Sequence, residues 1–157
     1  VGPSGEPATG LMVMIDMPSP DDVAAGRLLS GAPGTLFDNM MGAIDRGRET
    51  LYLASIAPAR TPTGRLDPTS LARLTALARH HVGLVKPKAL LLFGDACARA
   101  LLGGPVARTR GRWHEIDTPA GPVKALATLR PEKLLGQPNL KKHAWEDLQR
   151  LREGLEP

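Results

Sequence analysis

Three sets of side chains in this chain have the type and spacing to do chemistry. The first is Asp16, which follows the apolar run Leu-Met-Val-Met-Ile at 11–15 and precedes the turn Met17-Pro18-Ser19-Pro20. A short run rich in Val, Ile and Met reads as a buried strand. In an open parallel α/β sheet, ligands bind just beyond the carboxyl ends of such strands, where a carboxylate can orient water or a substrate. The alternative is a turn aspartate capping its own loop. The second set is Arg108, Arg110 and Arg112, alternating with small residues ahead of Trp113. If that stretch is extended, the three project to one face. Together with Arg60, Arg130 and Lys133 they would form a basic rim around the strand ends, fit for phosphates; the alternative is a solvated basic face. The third set is sulfur and imidazole. Cys97 reads as a small buried residue on a helix, His80 and His81 are adjacent and so face different sides, and His114 and His143 stand alone. No Cys/His ligand spacing appears, so no metal site is expected. GxSxG, GxGxxG and Walker patterns are also absent.

These groups need elements to position them. Strands are predicted at 11–15, 51–56 and 89–93, and a hairpin at 112–116 and 123–127. A helix is predicted over 35–44, with Leu36, Met40, Met41 and Ile44 on one face. A second helix runs from an Asp67 cap and Pro68 to about residue 82, with Leu71, Leu74, Leu77 and Ala78 inward. A third spans 94–102 and closes on Gly103-Gly104. A last one covers 141–155, with Ala144, Leu148, Leu151 and Leu155 inward. Residues 1–9 read as loose, 17–34 as irregular and 129–138 as a loop or short turn. Alternation of strands and helices predicts an α/β class fold: a three-layer α/β/α arrangement around a central four-stranded, mainly parallel sheet.

The 157 residues suit one domain, with 42% hydrophobic residues to fill a core and only 3% aromatic ones. No apolar run reaches the roughly 18 residues of a membrane span. The opening VGPSGEPATG lacks both a signal-peptide layout and a starting Met, which leaves open an upstream start or processing. The lone cysteine excludes an internal disulfide and points to a cytoplasmic location. The first forty residues carry one Arg against five carboxylates, yet the whole chain is +4. The basic remainder suggests a polyanionic partner.

Six segments, in order and at nearly fixed spacing, resemble the uracil-DNA glycosylase superfamily, most closely the bacterial iron–sulfur-bearing family 4 enzymes. The family's Gly-Glu-(Ala/Gly)-Pro-Gly motif falls on Ile15-Asp16-Met17-Pro18-Ser19, and its Gly-Arg-Pro-Phe-x-Gly-x-(Ala/Ser)-Gly segment on Gly26-Arg27-Leu28-Leu29-Ser30-Gly31-Ala32-Pro33-Gly34. The strand Tyr-Ile-Thr-Asn and its Lys-Cys-Arg-Pro-Pro loop fall on Tyr52-Leu53-Ala54-Ser55 and Pro58-Ala59-Arg60-Thr61-Pro62. The runs LVKPKALLLFGDACARALLG, RTRGRWHE and LRPEKLLGQPNLKKHAWEDLQ are similar to its leucine-rich strand and helix, its Arg-Gly-x-Trp hairpin, and its His-Pro loop with closing helix.

The resemblance implies a base-flipping DNA glycosylase, a hydrolase that needs a positioned water and a stabilised leaving uracil anion. On that likeness Asp16 and Arg130 are the catalytic candidates. Met17, Pro18, Leu29, Ser55 and Pro131 are the substrate-binding ones, and Arg60, Arg108, Arg110, Arg112 and Lys133 of the basic rim are the nucleic-acid-binding candidates. The chemistry is nevertheless eroded: the stacking Phe corresponds to Leu29, the uracil-reading Asn to Ser55 and the anion-stabilising His to Arg130. The cluster's loop cysteine corresponds to Ala59 and no cysteine lies near Thr75, so no iron–sulfur cluster is expected. The expectation is a divergent or catalytically degenerate member that binds DNA in a DNA-repair context, is monomeric and does not associate with membranes. The alternatives are an active DNA N-glycosylase using Asp16 and Arg130, or a protein-interaction subunit without enzymatic activity.

Overall fold

The computed structural model describes residues 2–57, 61 and 67–155. Its centre is a pair of parallel strands, β2 (Leu11–Ile15) and β4 (Ala89–Phe93), with Leu11 opposite Ala89 and Met12 opposite Leu90. Every residue of both strands is buried. Such unbroken burial, with no polar alternation, means that both faces are covered, as in parallel sheets roofed by helices on either side. This is the α/β/α layering expected from the sequence.

Among the described residues the sheet has six strands, more than the four expected. Their order is β1-β3-β2-β4-β6-β5, where β1 is Ser4–Gly5, β3 is Tyr52–Ser55, β5 is Trp113–Thr118 and β6 is Gly121–Thr128. The four inner strands run parallel. Each edge carries an antiparallel addition: β1 against β3, and β5 folded back on β6 as the predicted hairpin. Ser4–Gly5, within the segment expected to be loose, thus belongs to the sheet.

Two stretches read as irregular are helical. Residues 17–34 contain α1 (Pro20–Ala25) and the start of α2 (Gly31–Gly42). The density of Pro and Gly hid a capping box in which Ser19 accepts from the Asp22 amide at 3.1 Å and Asp22 accepts from the Ser19 amide at 3.1 Å. Pro33 is tolerated because it sits in the first turn of α2. Residues 129–138 contain α6 (Pro131–Gly136), with Pro131 at its start and Leu134 buried.

Gly34 lies on α2 where a Cβ would come within 1.9 Å of the Leu29 carbonyl oxygen. Gly34→Ala is therefore expected to destabilise the fold by roughly 1–3 kcal/mol as the loop is forced away, read as a lowered Tm. Phe37, one turn on, packs edge-on against Phe93 with ring centroids 5.8 Å apart and ties α2 to the end of β4.

Helix α3 (Pro68–Val85) starts as predicted, with Asp67 accepting from the Ser70 amide at 2.9 Å. Its inward face differs: Leu77 is 58% exposed, while Ala78 and Val82 are buried. The longer helix continues the stripe towards Val82 and leaves Leu77 beside it. Helices α4 (Asp95–Leu102) and α7 (Lys141–Leu155) match expectation, and Ala144, Leu148 and Leu151 are buried. Between α4 and β5, Pro105 opens a short helix, α5 (Val106–Thr109). Arg108 is therefore helical, and the expected extended alternation of Arg108, Arg110 and Arg112 is replaced by a helix-to-strand corner. Among the described residues no helix is long and apolar enough to cross a membrane.

Candidate functional site

The chain leaves β2 towards β3 on one side of the sheet and leaves β4 towards β6 on the other. Where neighbouring strands send their connections apart, a crevice opens at their carboxyl ends. Here it is a cavity of about 850 Å³. Asp16 and Met17 beyond β2, and Phe93 and Gly94 closing β4, form its floor.

Asp16 and Arg130, distant in sequence, meet on this floor. Asp16 Oδ1 accepts from the Met17 amide at 2.8 Å, and Oδ2 lies 3.8 Å from Arg130 Nη1. Arg130 is held there by the start of α6, where it is the cap residue ahead of Pro131. Its aliphatic stem crosses Gly94, where a Cβ would stand 3.3 Å from Arg130 Cδ, and Gly94 has a φ of +88°. Glycine serves both the close approach and the left-handed backbone.

Of the other residues singled out in the sequence, Met17, Arg110 and Lys133 line the cavity. Pro18, Leu29, Ser55, Pro131, Arg108 and Arg112 lie outside its lining. Leu29 is buried, and its amide donates to Asp22 Oδ2 at 3.1 Å. Ser55 borders a separate cavity of about 250 Å³ beside Leu74, Ala78 and His81, and its hydroxyl donates to the Ala57 carbonyl at 2.6 Å. Arg112 donates to the Arg108 carbonyl at 2.8 Å. Arg60, with Pro58, Ala59 and Pro62 of its loop, lies outside the described residues.

Sequence reasoning missed Asp95, Arg99 and His143, which also line the cavity. Asp95 and Arg99 were detectable, since they open α4 one turn apart directly after a strand end. Asp95 Oδ1 accepts from the Val106 amide at 2.8 Å, fixing α5 against α4. Four cationic side chains, Arg99, Arg110, Arg130 and Lys133, thus share the cavity with two carboxylates, Asp16 and Asp95. The arrangement suits a ligand that carries negative charge.

An α/β/α sheet with a charged cavity at the parting of β2 and β4 defines a ligand-binding class of fold, and sequence comparison makes the class specific. Residues 3–149 match the model of the uracil DNA glycosylase superfamily. The chain belongs to the uracil-DNA glycosylase superfamily. It is similar to the Type-4 uracil-DNA glycosylase of Archaeoglobus fulgidus, 23% identical over 146 residues that cover 88% of this chain and 73% of the relative. The Pyrobaculum aerophilum Type-4 enzyme is 21% identical over 92% of this chain and 77% of its own. That of Sulfurisphaera tokodaii is 23% identical over 95% and 71%.

The iron–sulfur cluster implied by the resemblance needs four thiolates. The sequence holds one cysteine, Cys97. Its side chain is fully buried on α4 with Sγ 3.6 Å from the Met14 carbonyl, and burial holds its thiol well above the usual range. Among the described residues no three of His, Cys, Asp and Glu converge as a metal site. The donors of this chain do not fit the cluster.

Proposed function

We propose that this chain is a DNA-binding member of the superfamily, acting in a DNA-repair context, which holds a strand in the strand-end cavity without excising uracil. One observation carries the reading: four cationic side chains converge on the cavity, while Leu29 and Ser55, at the stacking and base-reading positions, are outside its lining. Neither a leucine nor a serine offers what Phe and Asn offer, a π-face and a two-ended amide. Loss of one group that stabilises a leaving anion already costs on the order of a hundredfold in rate, and here the stacking and base-reading groups are changed along with that one.

A second reading is favoured by the Asp16–Arg130 approach at 3.8 Å. In it Asp16 orients a water towards the sugar carbon, the glycosidic bond breaks, and Arg130 stabilises the departing uracil anion. The test is base release and binding on uracil-bearing oligonucleotides, single-stranded and duplex, with Asp16→Ala alongside. The expected outcome is salt-dependent binding with no uracil released above the protein-free control. Asp16→Ala should bind about 2–5-fold more tightly, because a carboxylate beside the phosphates and its pairing with Arg130 are both removed. Uracil release that disappears in Asp16→Ala establishes the second reading. Neither release nor binding turns the search to a protein partner.

A further inference from the structure

Helix α3 buries one side against the sheet and leaves the other bare. At about 3.6 residues per turn, Arg73, Leu77, His80 and Leu84 fall in one row along its outer face. All four are exposed, Leu77 by 58% and Leu84 by 69%. Isolated apolar residues on a surface are ordinary, but two leucines aligned on one face are a patch. The helix carries no carboxylate from Pro68 to Val85, so the row is apolar and cationic. Arg79, off the row, is spent on the Asp117 carbonyl, to which it donates at 3.3 Å.

The row borders a hollow. Leu77 is on the rim of the cavity of about 250 Å³, which Leu74, Ala78 and His81 of α3 share with Ala54 and Ile56. His81 Nε2 and the Tyr52 hydroxyl are hydrogen-bonded at 2.8 Å, with the two rings edge-on, so this wall is fixed. The Ser55 hydroxyl is turned to the Ala57 carbonyl, and the hollow presents mainly carbon. It is smaller than the roughly 300–1,000 Å³ of small-molecule clefts and suits one large apolar side chain.

Three kinds of occupant can cover such a face. A lipid surface is apolar but offers no projecting side chain for the hollow. A second copy in a two-fold contact sets the same patch against itself, which brings Arg73 and His80 towards their own counterparts with no acid on α3 to offset them. An amphipathic helix meets each feature. Leu77 and Leu84 are two turns apart, about 10.5 Å along the axis, which matches the repeat of its apolar face. We propose that this face of α3 docks an amphipathic helix of a partner protein, which puts one large apolar side chain into the hollow beside Leu74, packs a second over Leu84 and sets a carboxylate against Arg73. No residue of the row lines the strand-end cavity, so the inference stands apart from the DNA-binding reading.

The test is selection from a phage-displayed library of helix-forming peptides of about 18 residues, panned on the unmodified chain. The selected peptide is then synthesised with a fluorophore and its binding followed by anisotropy. Its apolar residues should recur every three to four positions, with Asp or Glu beside them. Leu77→Glu and Leu84→Glu should each weaken binding by about tenfold or more, as should alanine at the peptide's largest apolar residue. Arg73→Glu should weaken it roughly threefold at low salt and less at high salt. Leu135→Glu, at an exposed leucine of α6, should change nothing. A peptide that binds Leu77→Glu and Leu84→Glu as tightly as the unmodified chain overturns the inference, and so does a library that yields no binder. Both leucine variants should keep the urea midpoint of the unmodified chain; a clear fall would mean that the chain's own residues cover this face, which also overturns it. Sedimentation of the unmodified chain as a dimer that Leu84→Glu splits would give the face to a second copy. Co-sedimentation with phosphatidylglycerol vesicles that Leu84→Glu abolishes would give it to a lipid surface. Either result overturns the partner helix.

Discussion

Asp147→Ala is expected to lower stability by about 3 kcal/mol, far more than any exposed substitution on α7. Asp147 is 1% exposed, and its carboxylate accepts from Arg110 Nε and Nη2 and, at 2.7 Å, from the hydroxyl of Thr128. Burial pushes this carboxyl up, against the pull of Thr128 and Arg110. The charge is therefore costly to hold here, yet costlier to remove, because alanine leaves a buried hydroxyl without its acceptor and a guanidinium without its counter-charge. Arg110 keeps 25% side-chain exposure, so water takes over part of its solvation, and the cost falls at the lower end of what breaking a buried pair brings. Asp147→Asn retains shape and one acceptor and should lose less than half as much. The raised pKa fixes the sign of the pH dependence. The group's own contribution is greatest below its unfolded pKa of about 3.9 and diminishes as pH rises through the folded value. Urea unfolding at pH 7 checks the substitution: the midpoint should fall by roughly 1.5 M with the slope unchanged. A midpoint within a few tenths of a molar of the unmodified chain would mean that Asp147 does not anchor the α7–β6 junction.

The same carboxylate marks the limit of what the sequence carries. The buried strands at 11–15 and 89–93 and the α7 stripe were legible because continuous apolar runs and a 3.6-residue period survive in one dimension. The strand-end rule located Asp16, and the structure brings Arg130 to it. The Asp147–Arg110–Thr128 contacts join residues 19 and 37 positions apart, and no local pattern announces such a pairing. Arg108, Arg110 and Arg112 illustrate the converse error. Their spacing fits an extended strand, but Pro105 after two glycines starts a helix, and only Arg110 reaches the cavity. Leu29 and Ser55 were placed by alignment to motifs, which fixes the chain position and leaves the side-chain direction free. The backbone at Leu29 is left-handed, with φ of +52°, and its side chain turns into the core.

That turn at Leu29 depends on Asp22, and Asp22→Ala is expected to cost about 4 kcal/mol. Asp22 is 2% exposed. Its Oδ1 accepts from the Ser30 amide at 2.8 Å and the Ser30 hydroxyl at 2.6 Å, while Oδ2 accepts from the Ser19 and Leu29 amides at 3.1 Å. From the other side Arg48 donates to the carbonyls of Leu28, at 2.8 Å, and of Leu29. One carboxylate and one guanidinium thus close the loop from 19 to 30 and satisfy backbone groups that have lost water. Alanine leaves two buried amides and a hydroxyl unpaired, and the left-handed Leu29 is then held from the Arg48 side alone. Burial opposes the charge on Asp22, but the bonds from Ser30 and Ser19 outweigh it and bring its pKa below the usual carboxylate value. Its contribution is therefore fully present above the unfolded pKa of about 3.9 and is lost as pH falls through the folded value. The urea midpoint of Asp22→Ala should lie well below that of the unmodified chain at pH 7, and the gap should narrow at pH 3. A gap of equal size at both would mean that the carboxylate's charge contributes nothing. If the gap narrows, the acid that seals this loop also governs the acid stability of the segment that carries Asp16 and Met17 into the cavity.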